Sequence, residues 1–213
     1  MTMSPAGSPI GLESNSGCRL WIDGVGCWLL WWGDQLTIGN GRPAMGTLSK
    51  MGTLSQTGRL RIMADLQTQH ATWQRLNREN WLQIHAATRI NGREVSGKVL
   101  LRNGDEIQLG ESVKVVIQTP SPLSPSSIMT ITSGQRMCDF LDGVVLFSQT
   151  CLLGSEQQCH IQCRNWKHRI VFFNDDGHLA WRTNQPGAVP GRVHAGEIIE
   201  TSECQLRIES GVN

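Results

Sequence analysis

Cysteines and histidines stand close together at one place in the second half of this 213-residue sequence, namely Cys159, His160, Cys163 and His168. Thiolates and imidazoles are the ligands that zinc prefers in proteins. On an extended strand, however, Cys159 and Cys163 lie too far apart to hold one ion, and adjacent Cys159 and His160 point to opposite faces of the strand. Buried structural cysteines are therefore the favoured interpretation, and a metal-binding or thiol-active protein is the alternative.

Other features of the chemistry argue against an enzyme. Neither G-x-x-x-x-G-K-[ST] nor G-x-G-x-x-G, the loops that cradle phosphates, occurs. The 19 basic residues are balanced by 18 acidic ones, whereas polyanion-binding proteins carry a basic excess. Apolar runs are too short to cross a bilayer. We expect no catalytic residues, no metal, no cofactor, and neither nucleic acid nor membrane as a partner.

The cysteine count bears on the redox compartment. Seven cysteines is an odd number, and most of them stand singly inside apolar segments. Buried, reduced thiols in a cytoplasmic protein are the natural interpretation.

The elements that would position any site are short strands. Apolar runs of four to six residues alternate with Gly, Asn and Asp turns from Cys18 onward, which predicts an all-β protein of antiparallel sandwiches. One segment, residues 65–77, could be helical. In the run from Trp28 to Trp32, alternation places Trp28 and Trp32 on one face of a strand and Trp31 on the other.

Two halves are separated by a segment rich in proline and serine, TPSPLSPSS, at residues 119–127. Proline cannot donate to a central sheet and favours extended chain, so this segment is interpreted as a stiff linker. The expected divisions are a flexible tail (1–17), a first domain (18–119), the Pro/Ser linker (120–132) and a second, smaller β-sandwich (133–213).

The two halves resemble each other, which predicts two tandem copies of one unit. C-R-L-W-I-D-G-V near Cys18 parallels C-D-F-L-D-G-V near Cys138, and apolar runs ending in glycine follow both. The expected equivalences pair Gly39 with Gly154, His70 with His160, and Gly104 with Gly196. The first copy also holds a small repeat, MGTLSK (45–50) and MGTLSQ (51–56), expected to lie in a mobile surface loop.

Residues 36–118 resemble the forkhead-associated (FHA) domain, a β-sandwich whose loops bind phosphothreonine peptides. The matching stretches are Ile38-Gly39-Asn40, Asp65 to Ala71 with its His-Ala pair, Asn91-Gly92, and Gly104-Asp105-Glu106-Ile107-Gln108-Leu109-Gly110. The Pro-Ser-Pro-Leu-Ser linker followed by a weaker second copy is similar to FHA proteins common in planctomycete bacteria. The resemblance implies a protein-binding module of the signalling type.

The resemblance also implies which residues carry the site. Candidate peptide-binding residues are Asn40, Arg42, Gln67, Thr68, His85, Arg89 and Asn91. Residues expected to support the loops are Gly39, His70, Gly92, Gly104 and Asp105. Asn91-Gly92 is in addition a strong signal for a two-residue hairpin turn, and Gly104-Asp105 suits a turn between strands.

The departures from the family pattern concern the phosphate contacts. A phosphate dianion needs charge-assisted donors, which the family supplies as arginine, serine and asparagine. This chain has Asn40, Gln67 and Ala86 at those positions. We therefore expect a scaffold or protein-binding module that has lost ordinary phosphothreonine recognition. The alternative is a phosphopeptide reader with a rearranged pocket, in which Arg42, Arg89 or His85 supplies the charge.

Overall fold

The computed structural model describes residues 7–12, 16–40 and 58–210. Eleven strands lie in the first half of the chain: β1 (Gly17–Ile22), β2 (Gly26–Trp31), β3 (Gln35–Asn40), β4 (Gly58–Ile62), β5 (Ala71–Leu76), β6 (Glu79–Ile84), β7 (Thr88–Ile90), β8 (Arg93–Val95), β9 (Lys98–Leu101), β10 (Glu106–Leu109) and β11 (Val113–Gln118). Short segments with alternating burial form these strands, as in β4, whose residues alternate between buried and exposed.

Nine strands follow in the second half: β12 (Ser127–Ile131), β13 (Gly143–Leu146), β14 (Thr150–Gly154), β15 (Ile161–Gln162), β16 (Ile170–Asp175), β17 (His178–Thr183), β18 (Gly191–Arg192), β19 (Ile198–Glu200) and β20 (Gln205–Ser210). A single 3-10 turn, Cys138–Phe140, is the helical element of the described residues. The all-β, sandwich-type architecture expected from the sequence is confirmed. No helix in the described part of the chain has the length and apolarity to cross a membrane.

The strands form three sheets. The two five-stranded sheets have the orders β4-β3-β5-β6-β9 and β15-β14-β16-β17-β18. Both have the same topology, because each contains one parallel pair at the same edge and three antiparallel pairs. The third sheet has ten strands in the order β19-β20-β1-β2-β13-β12-β11-β10-β7-β8.

The two five-stranded sheets pack on opposite faces of the ten-stranded sheet. At its centre β2 and β13 pair in parallel, with Leu29 opposite Val144 and Leu30 opposite Val145. Leu29 and Val144 belong to the core beneath the first five-stranded sheet, whereas Leu30 and Val145 belong to the core beneath the second. Because side chains alternate across a strand, the same two strands contribute to both cores.

The tryptophan run follows this alternation as expected. Trp31 is buried in the first core, and Trp28 and Trp32 pack half-buried against the second. Gly58 faces the Trp31 ring so closely that a Cβ at this position would overlap it.

The two halves of the chain exchange strands. β1, from the first half, pairs with β20 near the C-terminal end, and β12, from the second half, pairs with β11 of the first. Each core is therefore closed by a strand from the other half. The expected linker is corrected here, because residues 127–131 form β12 between β11 and β13. Its apolar residues Ile128 and Met129 are both buried between these strands, and the prolines stop before it.

Residues 119–126 are packed against the fold rather than free. Ser124 Oγ donates a hydrogen bond to the Thr150 carbonyl oxygen at 3.1 Å, and the Ser148 N–H donates to Ser126 Oγ at 2.9 Å. Ser121, Ser124 and Ser126 are all buried. Residues 119–126 therefore pack against β14, which begins at Thr150.

Two smaller expectations are also corrected. Part of the expected tail is docked, since the Ile10 N–H donates to the Val193 carbonyl at 2.9 Å and Ile10 is buried in the second core. The segment 65–77, which could have been helical, ends in strand β5, where Ala71 and Trp73 point into the first core. Ala71 and Trp73 belong to the first core and Thr72 between them does not, which is the alternation of a strand.

Candidate functional site

The candidate site lies at one end of the first sandwich, where β3 ends and β5 begins. The Asn40 N–H donates to the Gln67 carbonyl at 3.0 Å, so the two positions that lack the family's arginine and serine are adjacent. Gly39 makes this approach possible, because a Cβ there would overlap the Thr68 carbonyl oxygen. Gln67 and Thr68 themselves are exposed.

His70 connects this loop to two others. It is 3% exposed, and its Nε2 lies 2.9 Å from the Ala87 carbonyl oxygen, so that Nε2 carries the proton. Its Nδ1 then accepts a long hydrogen bond of 3.4 Å from the Gln67 N–H. The Gly110 N–H donates to the same Ala87 carbonyl at 2.9 Å. The imidazole is thus a hydrogen-bonded support for three loops and faces away from solvent.

Ala86 joins the same end of the sandwich. Its N–H donates to the His70 carbonyl at 3.1 Å. The structure therefore brings Asn40, Gln67 and Ala86, the three departures from the family pattern, around one buried histidine. The side chains at these three positions are two amides and one methyl group.

His85 contributes an exposed imidazole beside this group. Its Nε2 lies 3.1 Å from Thr72 Oγ1 and 3.5 Å from Gln69 Nε2. The His85 backbone also contacts His70, because the His85 N–H donates to the His70 carbonyl at 3.0 Å. Of the candidate residues, His85 is therefore the imidazole beside Gln69 and Thr72.

Arg89 and Asn91, the other described candidates, make contacts on β7 and in the turn that follows it. The Arg89 guanidinium pairs with Glu94 across β7 and β8 at 3.0 Å. Asn91 lies at the far end of β7, where its Nδ2 donates to Asp105 Oδ1 at 2.8 Å. In β7 the exposed Arg89 alternates with the buried Thr88 and Ile90.

Asn91 and Gly92 form the two-residue turn that their sequence predicts, since Ile90 pairs directly with Arg93. Both have positive φ, 52° and 78°. Asp105 fixes the neighbouring turn by accepting the Arg102 N–H at 2.7 Å, and Gly104 there has a φ of 87°. Arg42 and the MGTLSK/MGTLSQ repeat lie outside the described residues.

The second sandwich repeats two glycine landmarks of the first. Gly196 and Gly104 have positive φ, and their N–H groups donate to the Ile208 and Ile117 carbonyls respectively. The Gly154–Gly39 equivalence also agrees with strand register, because the residue before each glycine forms the last pair with β16 or β5.

His160 is the exception, and its expected equivalence with His70 is wrong. His70 precedes β5, whereas His160 precedes β15, the strand that corresponds to β4. By register the residue that corresponds to His70 is Arg169, which precedes Ile170. A shared His followed by a small or apolar residue was a coincidental similarity across loops of different length.

The cysteine and histidine group is dispersed over separate contacts. His160 Nδ1 accepts the Leu152 N–H at 3.0 Å, and His168 Nδ1 lies 2.8 Å from Glu203 Oε1. Burial raises the pKa of the Cys159 thiol and raises that of Cys163 to about 12, so both thiols stay protonated at neutral pH. Within residues 7–12, 16–40 and 58–210, no group of three His, Cys, Asp or Glu side chains is placed to hold a metal ion.

Glu203 organises the loop around His168. It accepts the Lys167 N–H at 3.1 Å, and this hydrogen bond, with that of His168, lowers the pKa of its carboxyl group. These two contacts hold the loop at residues 167–168 in place. Spacing in the sequence gave no signal for it, because the carboxylate is 35 residues away from the histidine.

Among solved structures the chain is similar to two FHA domains. One is the FHA structure of Rv0020c, at 19% identity, a TM-score of 0.27, and coverage of 46% of this chain and 88% of that one. The other is the solution structure of the FHA domain of an Arabidopsis thaliana hypothetical protein, at 19% identity, a TM-score of 0.32, and coverage of 55% and 93%. No protein-family model matches, and no curated protein matches.

Proposed function

We propose that this protein is a non-enzymatic protein-binding or scaffold module, with a partner surface formed by the loops around His70. The observation that carries the proposal is the convergence of Asn40, Gln67 and Ala86 on that one buried histidine. Three loops held by hydrogen bonds present exposed polar groups at little conformational cost, which suits recognition of another protein.

Loss of ordinary phosphothreonine binding is part of the proposal. An amide at position 40 cannot form the bidentate, charge-assisted contact that an arginine makes with phosphate. Each lost contact to a charged group corresponds to roughly 1.5 to 3 kcal/mol. With Ala86 offering only a methyl group, two such contacts are absent from these positions. We accordingly propose an unphosphorylated protein partner.

A phosphopeptide reader with a rearranged pocket is the second candidate. The position of His85 favours it, because an exposed imidazole beside Thr72 and Gln69 could contact a phosphate. The metal-binding or thiol-active alternative draws no support from the separate contacts of His160 and His168. Metal content of the purified protein, measured by emission spectrometry, tests that alternative directly.

We also propose that the two halves are tandem copies of one unit, and that the protein acts in the cytoplasm. The matching order of the two five-stranded sheets supports the first statement. The buried, protonated thiols of Cys18 and Cys151 support the second, since reduced cysteines are typical of that compartment.

A binding experiment with a loop variant tests the proposed surface. Immobilised wild-type protein and a Gln67→Ala/His85→Ala variant are compared for capture of proteins from lysate, with and without phosphatase treatment. The proposal predicts capture that phosphatase leaves unchanged and the loop variant loses. Arg102→Ala, at the opposite end of the sandwich, is the matched control and should capture as the wild type does. Capture that disappears with phosphatase would favour the second candidate.

A further inference from the structure

The outer face of the second five-stranded sheet departs from the pattern of a sheet with one solvated face. The shared topology allows outward positions to be compared one by one. Across β3, β5 and β6 one row of directly paired outward residues reads Thr37, Thr72, Gln83. The same row across β14, β16 and β17 reads Leu152, Val171, Arg182. Thr37 and Thr72 are polar and buried, whereas Leu152 and Val171 are apolar and half-buried. Polar residues are the norm on the outward face of such a sheet, so the apolar pair in the second sheet indicates a contact surface.

A groove lies along this row. It has a volume of about 420 Å³ and is bounded on one side by Leu152 and Val171 and on the other by residues 121–124. Leu123 stands on that second wall and is 90% exposed, although prolines flank it at positions 122 and 125. The groove thus has apolar groups on both sides.

The wall that carries Leu123 is held in place. Ser124 Oγ donates to the Thr150 carbonyl and accepts the Ser126 N–H at 3.2 Å. Ser121 Oγ accepts the Leu123 N–H at 3.3 Å. Since prolines restrict the remaining torsions, the exposed leucine is presented in a fixed position before any partner binds.

The groove also carries positive charge. Arg182 lies over the Phe173 ring, with 5.5 Å from its guanidinium carbon to the ring centroid. In the part of the chain that the structure describes, no carboxylate pairs with Arg182. Arg169, at the same end, is paired with Glu156 at 3.1 Å. Arg182 therefore offers the groove a cation ready for an anionic group.

We propose that this groove binds an extended segment of a partner protein that carries an apolar residue and a nearby acidic residue. The apolar residue packs between Leu123, Leu152 and Val171, and the carboxylate pairs with Arg182. Leu152 and Arg182 are two strand spacings apart, about 10 Å, and an extended chain rises about 3.3 Å per residue. Because side chains alternate along an extended chain, the two residues of the partner that face the groove are two or four positions apart.

The test is selection of random peptides displayed on phage against the full-length protein. Phage that also bind the Leu152→Thr/Val171→Thr/Arg182→Gln variant are removed from the library first. This variant gives the row the residue types of the first sheet. All three side chains point away from the core, so the variant should unfold at the wild-type midpoint. The expected result is enrichment of peptides with an acidic residue two or four positions from an apolar one.

Fluorescein-labelled synthetic copies of the enriched peptides then give affinities by anisotropy. Arg182→Gln should weaken binding at least tenfold, and replacing the peptide's acidic residue by its amide should weaken it by a similar factor. Combining both changes should cost little more than either alone. Gln83→Ala, at the equivalent position in the first sheet, should leave the affinity unchanged.

Two results would overturn the proposal: no peptide enriched over the subtracted variant, or enriched peptides that bind Arg182→Gln as tightly as the wild type. If the triple variant fails to fold, Arg182→Gln and Leu123→Ser, both single changes at the surface, replace it in the subtraction. The Gln67→Ala/His85→Ala loop variant should keep this binding, so failure of the groove and failure of the loop surface are separate outcomes.

Discussion

His160 gives the protein a specific dependence of stability on pH. Its imidazole is 1% exposed, its Nδ1 accepts the Leu152 N–H, and its Nε2 lies near the Ser126 backbone without a hydrogen bond of good geometry. Burial lowers the pKa of His160 from 6.5 to about 4. The folded protein therefore resists a proton that the unfolded chain accepts near pH 6.5.

The sign and size of the effect follow from proton linkage. At pH 7 the imidazole is neutral in both states and its titration contributes nothing. As the pH falls below 6.5 the unfolded state binds the proton first, so the free energy of unfolding decreases until about pH 4, where the folded state also binds it. The difference between 6.5 and about 4, at about 1.4 kcal/mol per pH unit, corresponds to about 3 kcal/mol.

Urea unfolding of wild type and His160→Asn at several pH values between 7 and 4 measures this. The asparagine oxygen can accept the Leu152 N–H in place of Nδ1 but does not titrate. We expect the stability of the wild type to fall by about 3 kcal/mol more than that of the variant across this range. Identical pH profiles for the two proteins would show that His160 binds its proton equally well in the folded and unfolded states, and would refute the reasoning.

Other predictions concern packing and topology. Arg75 donates to the Leu146 and Phe147 carbonyls at the end of β13, so Arg75→Leu should lower the free energy of unfolding by about 2 to 4 kcal/mol in urea titrations; Arg75→Lys should lower it less, and equal loss would contradict this account. Gly39→Ala should destabilise by about 1 to 3 kcal/mol, whereas Gly134→Ala, in open space, should be neutral; thermal unfolding compares them, and similar midpoints would refute the close packing. Fragments 1–120 and 121–213 should each lack cooperative unfolding alone and regain it when mixed, by circular dichroism; cooperative unfolding of either fragment alone would contradict the strand exchange.

Most of the local structure could be predicted from the sequence. Alternating apolar residues and turn residues predicted the strands, the Asn91-Gly92 turn and the split of Trp28 and Trp31 between two faces, because these depend on neighbouring residues alone. The strand exchange depends on which strand pairs with which across more than a hundred residues, and periodicity contains no such information. The proline-rich composition therefore predicts a linker, whereas in the structure β12 begins at Ser127 within this segment.

The candidate site was predictable to a similar depth. Motif order placed Asn40, Gln67 and Ala86 correctly at one end, since their loops follow directly from the strands. His160 was misplaced because a two-residue strand, β15, precedes the loop that leads to Arg169, and loop lengths hid the true correspondence. The Leu152 to Arg182 row emerged only when register in the two sheets could be compared.

Calorimetric titration with a phosphothreonine peptide library tests the central claim most directly. The wild type should give the same heats with phosphorylated and unphosphorylated peptides. Asn40→Arg/Gln67→Ser/Ala86→Asn should gain micromolar, phosphate-dependent affinity, because it restores the guanidinium, hydroxyl and amide around His70 together. Micromolar, phosphate-dependent binding by the unmodified protein would contradict the account and show that another residue, such as His85, recognises the phosphate.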